Sequence, residues 1–243
     1  MMFTLEVIAF SIESCAIAEK SGAQRIELCD NPAEGGTTPS AGMIRKAREQ
    51  TDIQLYPIIR PRGGDFLYSD EEFDIMKEDI RIAKEAGCDG VVFGLLNRDG
   101  SIDTERTARL VEFSWPLKVT FHRAFDRVKD PANSLEDVIR CGCNRILSSG
   151  LRPTVSEGIE LLRELVKLAG DRISIMPGSG VRSSNIKELA AYTGAHEFHS
   201  SARKEKHSAM SFINSEMEEL LTSTILDGQE VRNMRTILNT LSS

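Results

Sequence analysis

The chain has 243 residues, of which 40% are hydrophobic and 28% are charged, so it has enough apolar material for a packed core and is not a disordered chain. Thirty lysines and arginines against 37 aspartates and glutamates leave a net charge of −7, which excludes a strongly basic nucleic-acid-binding surface. The longest uncharged apolar runs, such as residues 90–96, are far shorter than the roughly 20 residues of a membrane-spanning helix. We therefore expect neither nucleic acid nor a membrane as a partner.

The N-terminal segment has no basic residue ahead of its apolar residues and contains Glu6, so it predicts a strand rather than a secretory signal and favours a cytoplasmic protein. Five cysteines are scattered along the chain: Cys15, Cys29, Cys88, Cys141 and Cys143. Because their number is odd and the cytoplasm is reducing, we expect free thiols. Cys141 and Cys143 stand at a predicted helix end and are interpreted as ordinary buried thiols.

Eight short β-branched apolar runs predict strands. They lie near residues 3–8, 24–29, 53–59, 89–95, 117–121, 144–148, 172–176 and 195–198. Between them, apolar residues recur at helical spacing in five segments, near residues 12–16, 73–83, 135–139, 161–168 and 186–190. Because no linker separates two halves, this alternation predicts an α/β fold, a single-domain (β/α)8 TIM barrel over residues 1–203, rather than an open doubly wound sheet.

Local signals mark the helix ends. Helix starts are predicted at Ser69 with Glu72, at Thr154 with Glu157, and at Asp130 before Pro131. Helix ends are predicted at Gly22, Gly87, Gly142, Gly170 and Gly194.

Residues 204–243 form a C-terminal extension that begins with a polar stretch and ends in a predicted helix near residues 229–241. We expect this extension to pack on the barrel or on a neighbouring subunit. Because barrels often associate, a homodimer is the expected assembly.

In such barrels the active face lies at the C-terminal ends of the strands, so polar residues there are the candidates for function. Glu27, His122 and Glu197 are the candidate catalytic residues, because three titratable groups above a hydrophobic plug would shift one another's pKa values. The alternative is that each glutamate pairs with Arg60, Arg62 or Arg123 in a structural network. The candidate ligand-binding residues are Glu6, Arg60, Arg62, Arg123, Ser149, Gly178, Ser179, Gly180, His199 and Ser200.

Two of these segments favour an anionic ligand. The loop at Gly178–Gly180 predicts backbone N–H groups ahead of a helix, where many barrels bind phosphate or carboxylate, although a plain tight turn remains the alternative. Arg60 and Arg62 flank a proline, which predicts two forked guanidinium donors on a stiff turn. Schiff-base chemistry is not expected, because the only strand lysine, Lys118, begins its strand at the opposite end.

Several strings together resemble the CutC family over residues 3–203. They are Arg25-Ile-Glu-Leu-Cys29, Glu34-Gly-Gly-Thr-Thr-Pro-Ser40, Ile59-Arg-Pro-Arg-Gly-Gly-Asp-Phe66, Thr120-Phe-His-Arg-Ala-Phe-Asp126, Ser148-Ser-Gly150 and Glu197-Phe-His-Ser-Ser-Ala202. The resemblance implies a cytoplasmic (β/α)8 barrel with a role in copper homeostasis. It also implies copper binding by cysteines near the barrel mouth, where the matching thiol is Cys29. The family often has a second cysteine where this chain has Ile8.

Two functions therefore stay open. The first is the role implied by the resemblance, in which Cys29 binds a copper ion, since Cu(I) prefers thiolate and thioether ligands. The second is an enzyme that acts on a small anionic metabolite at the barrel mouth, because glutamate, histidine and arginine are hard ligands and acid–base groups.

Overall fold

Eight parallel strands alternate with helices in the computed structural model, which describes residues 3–218 and 221–242. The strands are β1 Thr4–Ala9, β2 Arg25–Leu28, β3 Gln54–Pro57, β4 Gly90–Phe93, β5 Lys118–Phe121, β6 Arg145–Ser148, β7 Ser174–Pro177 and β8 Glu197–Ser200. The helices are α1 Ile12–Lys20, α2 Ala41–Gln50, α3 Asp70–Glu85, α4 Thr104–Ser114, α5 Pro131–Arg140, α6 Ile159–Ala169 and α7 Ile186–Thr193. Residues 1–2, 219–220 and 243 of the predicted domain ranges lie outside the described residues.

The strands form two four-stranded sheets, β3-β2-β1-β8 and β4-β5-β6-β7, which together close a barrel. A parallel bridge between Ile58 and Val92 joins β3 to β4. On the other side, a side-chain carbon added at Gly178, just after β7, would lie 3.2 Å from Cβ of His199 on β8. The predicted (β/α)8 barrel is confirmed.

Alternate residues of each strand face two different cores. Leu5, Val7 and Ala9 of β1 belong to the large apolar core between the strands and the helices. Ile8 belongs instead to a small apolar cluster with Cys29, Tyr56, Ile58 and Val92. This period of two is the expected pleat of a strand, and it places Glu6, between Leu5 and Val7, on the side of the barrel axis.

Two of the three predicted helix starts are confirmed. Ser69 forms both hydrogen bonds of a capping box with Glu72, and the Asp130 side chain accepts a hydrogen bond from Asn133 N. The prediction at Thr154 is wrong: its hydroxyl accepts from Glu157 N, but α6 starts only after Gly158. Four residues, 155–158, lie between Thr154 and the first helical residue, Ile159, so this hydrogen bond does not cap α6.

Helices α2 and α4 were not predicted. Each buries few side chains, such as Ile44 and Ala47 on α2, so the apolar period is weak. Their starts carry ordinary caps, because the Ser40 and Asp103 side chains accept hydrogen bonds from backbone N–H groups three residues later.

The C-terminal extension contains an antiparallel hairpin that the sequence did not reveal. Its strands are β9 Arg203–His207 and β10 Thr222–Leu226, and helix α8 follows at Gly228–Ser242. Val231, Met234 and Leu238 of α8 are buried. Arg235 donates to the backbone oxygen of Phe3 at 2.9 Å, so α8 packs beside the N-terminal end of β1. Within the described residues, no helix is both long and apolar enough to cross a bilayer.

Candidate active site

Charged side chains occupy the barrel axis, a position that branched apolar residues usually fill. Arg25, Arg145 and Glu197 are the first residues of β2, β6 and β8, at the N-terminal end of the barrel. Glu27 and His199 stand two residues further along β2 and β8, nearer the C-terminal mouth. The axis therefore holds two levels of polar groups.

The lower network consists of Glu6, Arg25, Arg145 and Glu197. Arg25 donates to both carboxylates, and Arg145 Nε donates to Glu197 at 2.5 Å. Arg145 also donates to the Thr120 hydroxyl at 3.1 Å. Two guanidinium groups thus face two carboxylates, and every charge has a partner.

The pKa values of the lower network follow from this pairing. Burial alone would raise the pKa of Glu6, but the charge of Arg25 and the hydrogen bond with His199 lower it to about 2. Burial also opposes ionisation of Glu197, but hydrogen bonds and charges from Arg145 and Arg25 lower its pKa below the ordinary value. Both carboxylates are therefore ionised at neutral pH.

The placement of Glu197 corrects one expectation. The sequence predicted Glu197 at the C-terminal end of strand eight beside Glu27 and His122, whereas it begins β8 and pairs with Arg25 and Arg145. The strand has only four residues, so its first residue lies at the opposite end of the barrel from the mouth. Glu197 is thus part of an ion-pair network, but its partners are Arg25 and Arg145 and not the loop arginines that the sequence suggested.

The upper site begins with Glu27 and His199. His199 Nδ1 lies 2.7 Å from a Glu6 oxygen, and His199 Nε2 lies 3.7 Å from a Glu27 oxygen. Glu27 is 3% exposed, and its carboxyl has no hydrogen bond within the described part of the chain. Glu6 thereby orients the imidazole, and the other ring nitrogen faces Glu27.

The surroundings raise the pKa values of both groups of the upper site. Burial raises the pKa of Glu27 to about 7, and the charge of Glu6 adds to this effect. Burial alone lowers the pKa of His199, but its hydrogen bond with Glu6 and the charge of Glu27 raise it above the ordinary value. A carboxyl group with such a pKa is suited to general acid–base chemistry.

The same side chains offer a metal-binding set. Glu6, Glu27 and His199 each present one ligand atom, and these atoms lie within 4.8 Å of one another. Oxygen and imidazole donors suit a divalent cation, including Cu(II), better than Cu(I).

Cys29, the candidate copper ligand, is fully buried in the small apolar cluster. Its companions there, Ile8, Tyr56, Ile58 and Val92, offer no second sulfur ligand. Burial, together with the charges of Glu27 and Glu6, raises the pKa of the Cys29 thiol well above its ordinary value. All five cysteines are free and buried, as expected. The thiolate form that binds soft metals is therefore disfavoured at Cys29.

His122 does not join Glu27 or Glu197 in any hydrogen bond or ion pair of the described residues. It follows β5, and its Nδ1 accepts a hydrogen bond from Ala124 N at 3.2 Å. Burial and the charge of Arg60 lower the pKa of His122 to about 3. The His122 imidazole is therefore neutral at physiological pH and, among the described residues, lies apart from the carboxyl groups with which the sequence grouped it.

The two arginines of the Arg60-Pro61-Arg62 turn bind their own surroundings. Arg60 is buried and donates to the backbone oxygens of Glu34, Gly36 and Gly64. Arg62 donates to Glu72 at 2.5 Å. Most of their forked donors therefore hold the loops of the mouth rather than an exposed ligand.

A cavity of about 730 Å³ opens among the loops that follow β2, β3, β4 and β5. Arg98 and Arg127 line it and have no hydrogen bond or ion pair within the described residues. Arg123 also lines it, and it donates to Asp126 at 2.7 Å and to Ser149 at 3.0 Å. The cavity is thus rich in guanidinium groups. Arg98 and Arg127 were not predicted from the sequence, because arginines in loops form no periodic pattern.

Ser149 is held by Asp126, which accepts from its backbone N–H at 3.0 Å and from its hydroxyl at 2.9 Å. The Asp126 carboxylate also accepts from the Ser148 hydroxyl at 2.6 Å. Asp126, which sequence analysis did not single out, therefore fixes the end of β6. The hydroxyl of Ser200 likewise donates internally, to the backbone oxygen of Val181 at 2.7 Å.

The glycine-rich loop after β7 does not precede a helix directly. Helix α7 starts at Ile186, six residues after Gly180, so the loop lies ahead of the helix but not at its N-terminus. Gly178 N donates to Ser148 O at 2.9 Å, and the Ser179 hydroxyl donates to Pro153 O at 2.8 Å. These contacts describe a tight turn.

Comparison with known proteins gives a consistent result. The model of the CutC family matches residues 3–204. A family protein CutC from Chromobacterium violaceum is 53% identical over 208 residues, which cover 86% of this chain and 84% of that protein. The copper homeostasis protein cutC homologue of Homo sapiens is 48% identical over 213 residues, which cover 88% of this chain and 78% of that protein.

Solved structures agree. The crystal structure of a CutC protein from Streptococcus agalactiae superposes with a TM-score of 0.78 at 37% identity and covers 82% of this chain and 99% of that chain. Thiamine phosphate pyrophosphorylase from Pyrococcus furiosus superposes with a TM-score of 0.62 at 16% identity and covers 99% of this chain and 98% of that chain, so it shares the fold alone.

Proposed function

The chain belongs to the CutC family, and from this premise we propose that it is an enzyme that performs acid–base chemistry on a small anionic molecule at the barrel mouth. The observation that carries the proposal is Glu27, a buried carboxyl group that forms no hydrogen bond with any described residue and lies 3.7 Å from an imidazole oriented by Glu6. A structural carboxylate is normally paired when it is buried. An unpaired one with a pKa of about 7 is typical of a catalytic acid or base.

The cavity supports an anionic substrate. Arg98, Arg123 and Arg127 line it, and guanidinium groups bind carboxylate or phosphate through forked donors. The cavity volume of about 730 Å³ suits a small metabolite. Its position on the loops after the strands is the usual place for substrates in this fold.

In this proposal Glu27 exchanges a proton with the bound molecule. His199 stabilises the negative charge of Glu27 when the carboxyl group is ionised. The contact with Glu6 keeps the imidazole in one orientation, so Nε2 stays directed at Glu27. The lower network keeps Glu6 ionised and thus available for this contact. Removing a positioned acid–base group typically lowers a rate by about 10²–10⁴-fold.

Proton exchange offers a direct test. The protein is incubated in D2O with a panel of small phosphate- and carboxylate-bearing metabolites, and proton NMR follows the loss of C–H signals. We expect exchange in at least one compound, loss of that exchange in Glu27→Gln, and unchanged exchange in the surface variant Arg172→Ala. Equal exchange in Glu27→Gln and the parent would remove Glu27 from the reaction.

Direct copper binding is the second candidate, favoured by the names of the mouse and human relatives, which are copper homeostasis protein cutC homologues. We propose two alternative copper sites. Cys29 supplies one sulfur ligand for Cu(I), and Glu6, Glu27 and His199 supply the oxygen and nitrogen ligands that suit Cu(II). If the family role is exerted through the enzyme reaction instead, copper effects are indirect.

Two titrations separate these sites. For Cu(I) under anaerobic conditions, Cys29→Ser is expected to weaken binding at least about tenfold, whereas Cys141→Ser and Cys143→Ser leave it unchanged. For Cu(II), Glu27→Gln is expected to weaken binding and Cys29→Ser is not. Absence of binding of both ions to the parent would eliminate the copper candidate.

We also propose a cytoplasmic homodimer. Five free cysteines fit a reducing compartment. The β9–β10 hairpin and its connecting segment expose large apolar side chains, among them Met210, Phe212 and Ile213, which a second subunit would cover. Sedimentation equilibrium of the parent and of Phe212→Ser tests the assembly, and a monomeric parent would contradict it.

A further inference from the structure

Two buried hydrogen-bond donors near the cavity have no acceptor. Of the described residues, only four have a buried polar side-chain atom without a partner, and two of these atoms are Arg60 Nε and His122 Nε2. The two residues are 6% and 4% exposed. An unsatisfied buried donor costs free energy, so such groups in a native protein call for a ligand or another function.

The protonation state of His122 follows from its one hydrogen bond. Its Nδ1 accepts from the backbone N–H of Ala124 at 3.2 Å and therefore carries no proton. In a neutral imidazole the proton is then on Nε2. The atom without a partner is thus an N–H donor that can bind an oxygen atom.

Arg60 presents its free donor from a fixed side chain. Its two terminal nitrogens donate to the backbone oxygens of Glu34, Gly36 and Gly64 at 2.7–2.9 Å. These bonds anchor the guanidinium and leave the Nε–H unused. The positive charge has no carboxylate partner in the described part of the chain.

Phe66 contacts both donor-bearing side chains. Its ring centroid lies 4.9 Å from that of His122 and 5.1 Å from Cζ of Arg60. Both Phe66 and Arg60 line the cavity. His122 thus packs against a ring that lines the cavity, and the guanidinium of Arg60 packs against the same ring.

We propose that the N–H groups of Arg60 Nε and His122 Nε2 together bind one oxygen-bearing anionic group, a carboxylate or a phosphate, of the molecule in the cavity. The proposal rests on the enzyme function proposed above and specifies which residues bind the anionic group of the substrate. In it, His122 acts as a neutral hydrogen-bond donor. It also separates recognition, at Arg60 and His122, from proton transfer, at Glu27.

Nitrogen NMR of the imidazoles tests the state of His122 in the intact parent. We expect a neutral ring with the proton on Nε2 that does not titrate between about pH 5 and pH 8, and a shift of the Nε2 signal when sodium phosphate or sodium acetate is added. A ring that gains a proton in this range, or a signal that neither anion moves, would overturn the proposal. A response to only one of the two anions tells phosphate from carboxylate.

Three variants test the contribution of the donor to affinity. Isothermal titration with the more effective anion is expected to give binding at least about tenfold weaker in His122→Leu, near-parent binding in His122→Gln, whose amide N–H replaces the donor, and parent binding in the exposed control His196→Gln. Equal binding by His122→Leu and the parent would overturn the proposal. Loss of C–H exchange in Glu27→Gln tests the proposed reaction separately, so either can fail alone.

Discussion

The lower network and the upper site use the same residue types on the same barrel axis but differ in pairing. In the lower network, Arg25 and Arg145 neutralise Glu6 and Glu197 through short hydrogen bonds. In the upper site, Glu27 has only a 3.7 Å contact with His199. The difference teaches that a charged residue on the axis of this barrel is not by itself a sign of function. The informative feature is the absence of a close, oppositely charged partner among the described residues.

The two regions also respond differently to protonation. In the lower network, pairing lowers the pKa of Glu6 to about 2, so its charge is fixed under physiological conditions. In the upper site, burial without a close partner raises the pKa of Glu27 to about 7. The lower network therefore supplies constant charges that orient His199, and the upper site supplies a group that gains and loses a proton.

The largest effect is expected from breaking the lower network. Arg25→Ala leaves Glu6 and Glu197 short of a buried partner and is expected to lower the free energy of unfolding by about 3–5 kcal/mol. The matched control is Arg172→Ala, which breaks an exposed pair with Glu136 and is expected to change the unfolding midpoint far less. Denaturant titration measures both, and similar midpoints for the two variants would contradict this account.

The next effect concerns Glu27 and pH. The pKa of Glu27 is about 7 in the folded chain, whereas that of a glutamate in the unfolded chain is about 4.3. Between these values the folded state binds more protons, so the free energy of unfolding falls as the pH rises through the interval. At about 1.4 kcal/mol per pKa unit, the fall due to Glu27 is on the order of 3 kcal/mol.

Glu27→Gln is expected to remove the contribution of Glu27 to the fall in the free energy of unfolding. The variant is therefore expected to be more stable than the parent at pH 8 and to unfold no more easily at pH 7. Denaturant titrations at several pH values between 4.5 and 8 measure the two slopes. If Glu27→Gln destabilises the protein throughout and leaves ligand binding unaltered, Glu27 is a scaffold residue.

The smallest effect is expected at the cavity rim. The double variant Arg98→Ala, Arg127→Ala removes two guanidinium groups that have no partner within the described residues. Its free energy of unfolding is expected to stay within about 0.5 kcal/mol of the parent, because surface changes away from packed features cost little. Its affinity for inorganic phosphate is expected to fall about tenfold and to depend less on salt. Unchanged affinity at low salt would exclude both arginines from the binding surface.

Sequence analysis determined the architecture because the signals for it are local. Short β-branched apolar runs gave all eight strands of the barrel, apolar residues at helical spacing gave five of its helices, and Asp130 and Ser69 predicted two helix starts. Helices α2 and α4 were missed because each buries few residues. The β9–β10 hairpin was missed because β9 is exposed along its whole length and carries no alternating pattern.

The sequence also determined which polar residues stand on the strands of the barrel, among them Glu6, Glu27 and His199. Only the tertiary structure decided what each one does, because pairing joins residues that are distant in sequence: Arg25 meets Glu197 across 172 positions, and His199 meets Glu6 across 193. The depth of a side chain along the axis, its partners and its burial set its pKa, and none of these is encoded by its neighbours in the chain. For that reason Glu197 and Glu27, alike in the sequence, differ in the fold: Glu197 forms close ion pairs with Arg25 and Arg145, whereas the described partner of Glu27 is His199 at 3.7 Å.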